Sequence, residues 1–171
     1  LPWPPEVQDC GPGDSQRYPS LEPGARKGDR GRLLVIGGGP YHGAPILSGM
    51  AAARSGCDLV HVAMPSRAAS RCEWPTSIIP EELPDGDFLT MSSMGAIEGI
   101  ADSGRRPDSI VIGPGLGRDE RTTEAVQAIM EMATERGIPI VVDADAIGVL
   151  PHGGWPHGMT GVATPHETEA S

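Results

Sequence analysis

Aliphatic runs that alternate with helix-like segments place the tightest limit on how this chain can fold. Residues 32–36, 58–63, 109–112 and 138–142 are rich in Val, Ile and Leu, and Gly, Pro or Asp follows each run within two residues. This pattern is typical of buried strands. Helix-like segments separate the runs, so the strands are expected to lie side by side and parallel. The sequence predicts an α/β fold of three layers, αβα, around a mainly parallel sheet.

Two helices between these strands are well defined in the sequence. Residues 43–54 carry Pro45, which suits the first turn of a helix. Residues 119–136 have apolar side chains at helical spacing, acids in the first turn and Gly137 after the end. For the less regular segments we predict a short helix at 66–72, a short strand at 76–79, loop at 80–87, a helix at 93–103, a short helix ending at residue 150, loop at 151–160 and a strand at 161–163.

Composition separates an arm from a domain. Residues 1–32 contain six prolines and five glycines without apolar periodicity, so we predict that residues 1–25 form a linker or arm. Residues 26–171 are then one domain of ordinary size. The chain begins at Leu1 and stops at Ser171 directly after a motif-like stretch, which we expect of a piece cut from a longer protein.

Charge and cysteine usage exclude several classes of function. A net charge of −10 makes nucleic acid and anionic membranes poor partners. Three cysteines without a CxxC pair argue against a disulfide framework and a cysteine-rich zinc site. The sequence has no apolar run of about 18 residues and no basic segment leading into an apolar one, so we expect a cytoplasmic protein.

Four turns that follow predicted strands carry the residues suited to chemistry. These turns are residues 37–39, 113–117, 143–145 and 164–166. Ligands of parallel sheets bind at the carboxyl ends of the strands, so the four turns are expected to meet at one binding edge.

The two glycine-rich turns fit no standard phosphate-binding motif. A GxGxxG motif that starts at Gly37 requires glycine at its sixth position, which is His42. A motif that starts at Gly113 requires glycine at its sixth position, which is Arg118. A P-loop would require lysine where Ala44 stands. Each turn is either a tight connection or a place where backbone approaches a phosphate or sugar. The second also precedes a helix start, which favours an anion.

The acidic and histidine turns have two interpretations each. Asp143 and Asp145 either hold Mg²⁺ through water or cap the following helix. His166 follows Pro165, and it either hydrogen-bonds a ligand or is structural. It belongs to no HExxH zinc motif, because Ala170 occupies the place of the second histidine.

Taken together, these stretches are similar to one family. The matching segments, in order, are KGDRGRLLVIGG, YHGAP, AAARSGCDLV, IGPGLG, VDADA and TPHE, between residues 27 and 167. They resemble the ADP/ATP-dependent NAD(P)H-hydrate dehydratases, the carboxy-terminal module of the YjeF type, which has a ribokinase-like fold. The GGGPYHGAP form resembles archaeal members, and in many of those an epimerase domain precedes this module.

The resemblance implies a repair reaction on hydrated NADH or NADPH. Members of the family phosphorylate the ring hydroxyl with a nucleotide and Mg²⁺, and then eliminate phosphate to restore the double bond. Archaeal and bacterial members usually use ADP, so the resemblance implies ADP, or ATP, together with Mg²⁺ as cofactors. The implied partners are therefore small molecules, in a protein that is expected to bind neither nucleic acid nor membrane and to form a homo-oligomer.

Carried over by position, the resemblance assigns Ala44, Gly115 and His166 to the hydrated nicotinamide nucleotide. Further contacts to substrate or nucleotide are implied for Gly39, Gly43, Gly117, Asp143 and Asp145. The family's Gly-Thr-Gly-Asp motif, which supplies an anion hole and the catalytic base, does not occur in these 171 residues. We therefore assign no catalytic residue and no metal ligand here. We expect a domain that is incomplete at its C-terminus and inactive on its own.

Two rival functions stay open at this point. One is another small-molecule kinase of the same fold, such as a hydroxyethylthiazole-kinase-like enzyme, although the GAP turn and TPH suit the dehydratases better. The other is a non-catalytic nucleotide-binding or assembly module.

Overall fold

The computed structural model describes residues 11–13, 20, 23–104, 106–152 and 154–166. Short 3₁₀ segments at Met91–Ser93 and Ala144–Val149 supplement the regular elements. Those elements are β1 (Arg32–Ile36), α1 (Gly43–Arg54), β2 (Leu59–Pro65), α2 (Ser66–Ala69), β3 (Ile79–Leu83), α3 (Met94–Ala101), β4 (Ser109–Ile112), α4 (Glu120–Glu135), β5 (Ile140–Val142) and β6 (Gly161–Ala163).

The six strands form one sheet in the order β3-β2-β1-β4-β5-β6, and every neighbouring pair is parallel. This confirms the predicted parallel α/β fold, including four central strands that lie side by side. The chain leaves β1 in one direction through β2 and β3, and then returns to the other side of β1 with β4. The strand order therefore reverses between β1 and β4, where the loops diverge and open a crevice at the carboxyl edge.

Helices cover the sheet on both faces, which confirms the three-layer prediction. Successive residues of β1 point to opposite faces, so Leu34 and Ile36 join the core under α3 and α4, while Val35 joins the core under α1 and α2. Helix α1 lies close to the sheet because Gly49 has no side chain, and a Cβ there would lie 2.9 Å from Cγ2 of Val62.

The predicted strand at 76–79 was wrong in position. Strand β3 runs over Ile79–Leu83 and pairs with β2, so the first part of the predicted loop at 80–87 is strand. The sequence analysis missed this strand because it contains Pro80, Glu81 and Glu82. Strand β3 tolerates proline and charged residues because it lies at the edge of the sheet and has a neighbour on one side only.

Other predictions differ less from the structure. The predicted helix at 66–72 ends at Ala69, and the short helix before Leu150 is a 3₁₀ segment. Most of the predicted arm, residues 1–25, lies outside the described residues. Within the described residues, no helix combines the length and apolar character that crossing a membrane requires.

Candidate functional site

The turn after β1 and the turn after β4 pack backbone against backbone. The amide of Gly38 donates a hydrogen bond of 2.9 Å to the carbonyl of Pro114. A Cβ on Gly37 would lie 2.4 Å from that same carbonyl oxygen, and a Cβ on Gly39 would lie 2.8 Å from the carbonyl oxygen of Leu116. Side chains at these positions would force the two turns apart, so the glycines close the floor of the crevice.

Gly115, in the turn after β4, packs in the same way against the backbone of Tyr41 after β1. Its φ of +73° lies in the left-handed region, and a Cβ would lie 2.2 Å from the carbonyl oxygen of Tyr41. Gly115 is itself buried, whereas Tyr41 is 67% exposed at the rim of the crevice. Two of the predicted turns therefore meet at one place, as the strand pattern indicated.

Two helices begin at this edge, and their first turns differ in charge. Helix α1 has no acidic residue in its first turn and no side-chain cap from His42. Helix α4, in contrast, is capped by Asp119, which accepts from the amide of Arg121, and carries Glu120 in its first turn. An anion is therefore favoured more at α1 than at α4, where the sequence pattern had offered one as an alternative to a tight connection.

The start of α1 also presents the residues that the sequence singled out. Ala44 and Gly43 are both exposed in its first turn. Nη2 of Arg71 donates to the carbonyl of Gly39 at 3.4 Å, which brings a guanidinium to the same turn. Exposed backbone, a positive helix end and an arginine together suit a phosphate group.

Asp143 and Asp145 link the turn after β5 to both neighbouring turns. Oδ1 of Asp143 accepts from the hydroxyl of Thr164 at 2.6 Å, while Oδ2 of Asp145 accepts from the amide of Gly117 at 3.0 Å. Between them, Ala144 has a φ of +47°, a conformation rare for a residue with a side chain. Neither bond caps the 3₁₀ segment, so the described bonds of this pair hold turns together.

His166 lies at the far end of the same edge. It is exposed and follows β6, which is separated from β1 by β4 and β5. Three spacings between neighbouring strands amount to about 14 Å. Ala44, Gly115 and His166 therefore lie along one edge at a spread that an elongated ligand spans.

A third wall of the crevice was missed by the sequence analysis. Residues 84–90 run beside both glycine turns: the carbonyl oxygen of Asp87 lies 3.3 Å from the Cβ position of Gly39, and the ring of Phe88 lies 4.0 Å from that of Gly117. The only signal was Phe88 itself, the single phenylalanine of the chain.

A cavity of about 700 Å³ opens beside Gly117, between the start of α4 and the 3₁₀ segment after β5. This volume is within the range of small-molecule pockets, about 300–1,000 Å³. Three carboxylates, one guanidinium and one imidazole line it, from Asp119, Glu120, Asp145, Arg118 and His152. Across the described ranges, no three His, Cys, Asp or Glu side chains are grouped as a metal site would require.

Comparison with known proteins decides the family. The model of the NAD(P)H-hydrate dehydratase family matches residues 33–171. The chain belongs to this family. The match confirms the resemblance drawn from the motifs, and it does not support the alternative of a hydroxyethylthiazole-kinase-like enzyme.

Relatives agree with this assignment. The chain is 37% identical over 163 residues to the bifunctional NAD(P)H-hydrate repair enzyme Nnr of Methanothermobacter thermautotrophicus, covering 94% of this chain and 31% of that protein. It is 41% identical over 128 residues to the ATP-dependent (S)-NAD(P)H-hydrate dehydratase of Emericella nidulans, covering 71% of this chain and 35% of that protein. The chain thus spans about a third of the length of these two relatives.

Solved structures show the fold. A ribokinase-like superfamily protein from Enterococcus faecalis superposes with a TM-score of 0.65 at 23% identity, over 88% of this chain and 50% of that one. The ADP/ATP-dependent NAD(P)H-hydrate dehydratase of Bacillus subtilis, co-crystallized with ATP/Mg²⁺, superposes with a TM-score of 0.59 at 24% identity, over 89% of this chain and 50% of that one. The fold is therefore ribokinase-like, as the resemblance implied.

Proposed function

We propose that this chain carries the substrate-binding part of a nucleotide-dependent NAD(P)H-hydrate dehydratase, which returns hydrated NADH or NADPH to its reduced form. The observation that carries the proposal is the closure of the two glycine turns at the point where the strand order reverses. That closure leaves exposed backbone, the positive end of α1 and Arg71 around one crevice. A phosphate-bearing ligand matches this chemistry.

The substrate is assigned along the edge of the sheet. Backbone amides at Ala44 hold a phosphate of the dinucleotide, the turn at Gly115 lies against its nucleotide, and His166 hydrogen-bonds it further along. Gly39, Gly43 and Gly117 keep side chains out of its path. Asp143 and Asp145 are proposed to contact substrate or nucleotide, and they also support the turns on either side through their bonds to Thr164 and Gly117.

The proposed reaction proceeds in two steps. A phosphoryl group passes from the nucleotide to the hydroxyl of the hydrated ring, so that ADP would leave as AMP. The carbon–oxygen bond then breaks, phosphate departs, and the neighbouring carbon releases a proton as the double bond forms. Phosphate is a better leaving group than hydroxide, and the protein contributes positioning and charge stabilisation. We assign the proton acceptor to no residue of this chain.

The nucleotide is proposed to be ADP or ATP with Mg²⁺. The acidic lining of the 700 Å³ cavity suits a cation-bound nucleotide better than a bare phosphate. Mg²⁺ keeps much of its water and binds few protein carboxylates, so it would come with the nucleotide phosphates and face Asp145. Bound there, Mg²⁺ would neutralise charge on the transferred phosphate.

The longer protein is proposed to combine this domain with an epimerase domain, because relatives of the chain are called bifunctional. An epimerase would convert the hydrate epimer that the dehydratase does not accept. We further propose a cytoplasmic homo-oligomer that binds small molecules and neither nucleic acid nor membrane.

Binding of hydrated NADH to the 171-residue chain tests the proposal. We expect saturable binding by calorimetry, and no recovery of NADH absorbance when ADP or ATP is added. Binding of hydroxyethylthiazole without binding of the hydrate would refute the proposed substrate.

Replacement of His166 tests its role directly. Loss of one hydrogen bond costs about 0.5–1.5 kcal/mol, and more for a charged partner, so His166→Ala should weaken hydrate binding about 3- to 100-fold. His157→Ala is the matched control, since His157 is exposed in the loop before β6. Equal losses in the two variants, or zinc that copurifies with the chain and disappears in His166→Ala, would contradict the assignment.

A further inference from the structure

Asp85 is a buried carboxylate in a loop, where carboxylates are usually exposed. It is 7% exposed and accepts four hydrogen bonds. The amide and hydroxyl of Thr90 donate to it at 2.8 and 2.6 Å, and the hydroxyls of Ser92 and Ser93 donate to the same carboxylate. A buried charge is costly unless it is satisfied in this way, so the donors form a set around it.

The pKa of Asp85 agrees with this geometry. Burial alone would raise it, but the hydrogen bonds from Ser92, Ser93 and Thr90 hold it below its usual value. The carboxyl is therefore ionised at neutral pH, and each donor points at a full negative charge. Hydrogen bonds to charged groups are the stronger ones.

The same loop is anchored to helices on both sides of the sheet. The carbonyl of Asp85 accepts from the amide of Ser66 at 2.7 Å, at the start of α2. The carbonyl of Leu89 accepts from the buried hydroxyl of Thr122 at 3.0 Å, in α4. Residues 84–90 are thus fixed at both ends, with Asp85 closing the loop upon itself.

Between these anchors the loop faces the crevice. The carbonyl of Asp87 and the ring of Phe88 approach Gly39 and Gly117. The guanidinium of Arg121 lies over the ring of Phe88, 5.7 Å from its centre, on the side of α4. Phe88 belongs to neither hydrophobic core, whereas Leu89 of the same loop is fully buried in the core under α3 and α4. The anchor therefore holds both this core side chain and the wall of the crevice.

We propose that Asp85 is a positioning residue for the candidate site: it holds residues 84–90 against both glycine turns and so sets the width of the crevice that receives the ligand. The assignment of that ligand as the hydrated dinucleotide rests on the proposed function. The placement of the loop rests on the contacts above and is independent of it.

Asp85→Asn tests the proposal, because an amide has one acceptor oxygen where the carboxylate has two. Asp102→Asn is the matched control: Asp102 is held by Nε and Nη2 of Arg136 at 2.8 and 2.9 Å, at the end of α3, which leads to the opposite edge of the sheet. Hydrogen exchange of residues 84–90 and of both glycine turns is measured first, without ligand. We expect exchange at least about tenfold faster in Asp85→Asn and unchanged rates at these sites in Asp102→Asn.

Affinity for hydrated NADH is measured second. We expect a Kd raised about tenfold in Asp85→Asn and within twofold of the original in Asp102→Asn. If Asp85→Asn does not fold, the double variant Ser92→Ala, Ser93→Ala keeps the carboxylate, removes two donors and should show the same effects in weaker form. In a folded Asp85→Asn chain, adding Ser93→Ala should add little, since both act on one contact.

The outcomes separate the two proposals. The positioning role of Asp85 is overturned if, in Asp85→Asn, residues 84–90 exchange faster while both glycine turns exchange at the original rate. It is also overturned if residues 84–90 exchange faster and the affinity for hydrated NADH is unchanged. An original chain that does not bind the hydrate would refute the proposed function alone. In that case the exchange of the glycine turns still decides whether Asp85 positions the crevice.

Discussion

Gly115 and Gly137 share a backbone conformation but not an environment. Their φ values are +73° and +60°; a Cβ on Gly115 would meet the carbonyl of Tyr41 at 2.2 Å, and a Cβ on Gly137 would meet nothing within 4 Å. Gly137→Ala should therefore cost only the left-handed penalty, about 1–2 kcal/mol. Gly115→Ala should cost more, because the two turns must also move apart.

Chemical denaturation of both variants measures the difference. The free energy of unfolding should fall further in Gly115→Ala than in Gly137→Ala, and only Gly115→Ala should weaken hydrate binding. Equal losses of stability would mean that the turns at 37–41 and 113–117 separate freely and that their packing does not define the crevice.

Among the elements, the loop at 84–90 should give the protein a specific response to acid. A carboxyl whose pKa is depressed by folding stabilises the protein fully above its unfolded pKa, about 3.9 for Asp, and this contribution is lost as the pH falls through the folded value. The pKa of Asp85 is depressed, so its contribution begins to decline as the pH falls below about 4 and is lost completely only below the lower pKa of the folded state. Between pH 5 and 3, the melting temperature of the original chain should fall more steeply than that of Asp85→Asn. Parallel curves would contradict this.

Elements with strong local patterns were predicted well, and those defined by tertiary contacts were not. The predicted strand at 32–36 and the helix at 119–136 agree with β1 and α4 within a residue, because their apolar spacing and end residues agree. Strand β3 was displaced, since pairing with β2 outweighs its proline and two glutamates. Anion binding at the start of α4 was one of two interpretations of its glycine turn; the cap from Asp119 and the charge of Glu120 favour the other, a tight connection.

The turns of the site were predictable from the sequence, whereas the wall formed by residues 84–90 was not. Turns at strand ends follow from topology, so their meeting at one edge could be expected. The approach of Asp87 to Gly39 joins segments distant in sequence, and no local pattern encodes it. The donors of Asp85 lie within eight residues of it, but the loop that turns them onto the carboxylate is anchored by contacts to α2 and α4 that are distant in sequence.

At the scale of the whole molecule, one face of the sheet is covered unevenly. Val35, Val111, Val141 and Val162 are paired in register across β1, β4, β5 and β6, and so lie in one row on the α1 side. Val35 is fully buried and Val162 is 49% exposed. Among the described helices, α1 and α2 pack over β1, β2 and β3, which leaves the end of the row open.

Threonine replacements at the two ends of this row test its uneven covering, because threonine matches valine in shape and suits a strand. Val35→Thr buries a hydroxyl and should cost about 1–3 kcal/mol, whereas Val162→Thr should change stability by less than about 0.5 kcal/mol.

The net charge of −10 repels copies of the chain, and salt screens that repulsion, so the original chain should associate more at high salt. Val162 is the exposed apolar end of the row, so light scattering should show that Val162→Thr reduces this association. Equal stability losses in the two variants would show that the β6 end of the row is as well covered as the β1 end.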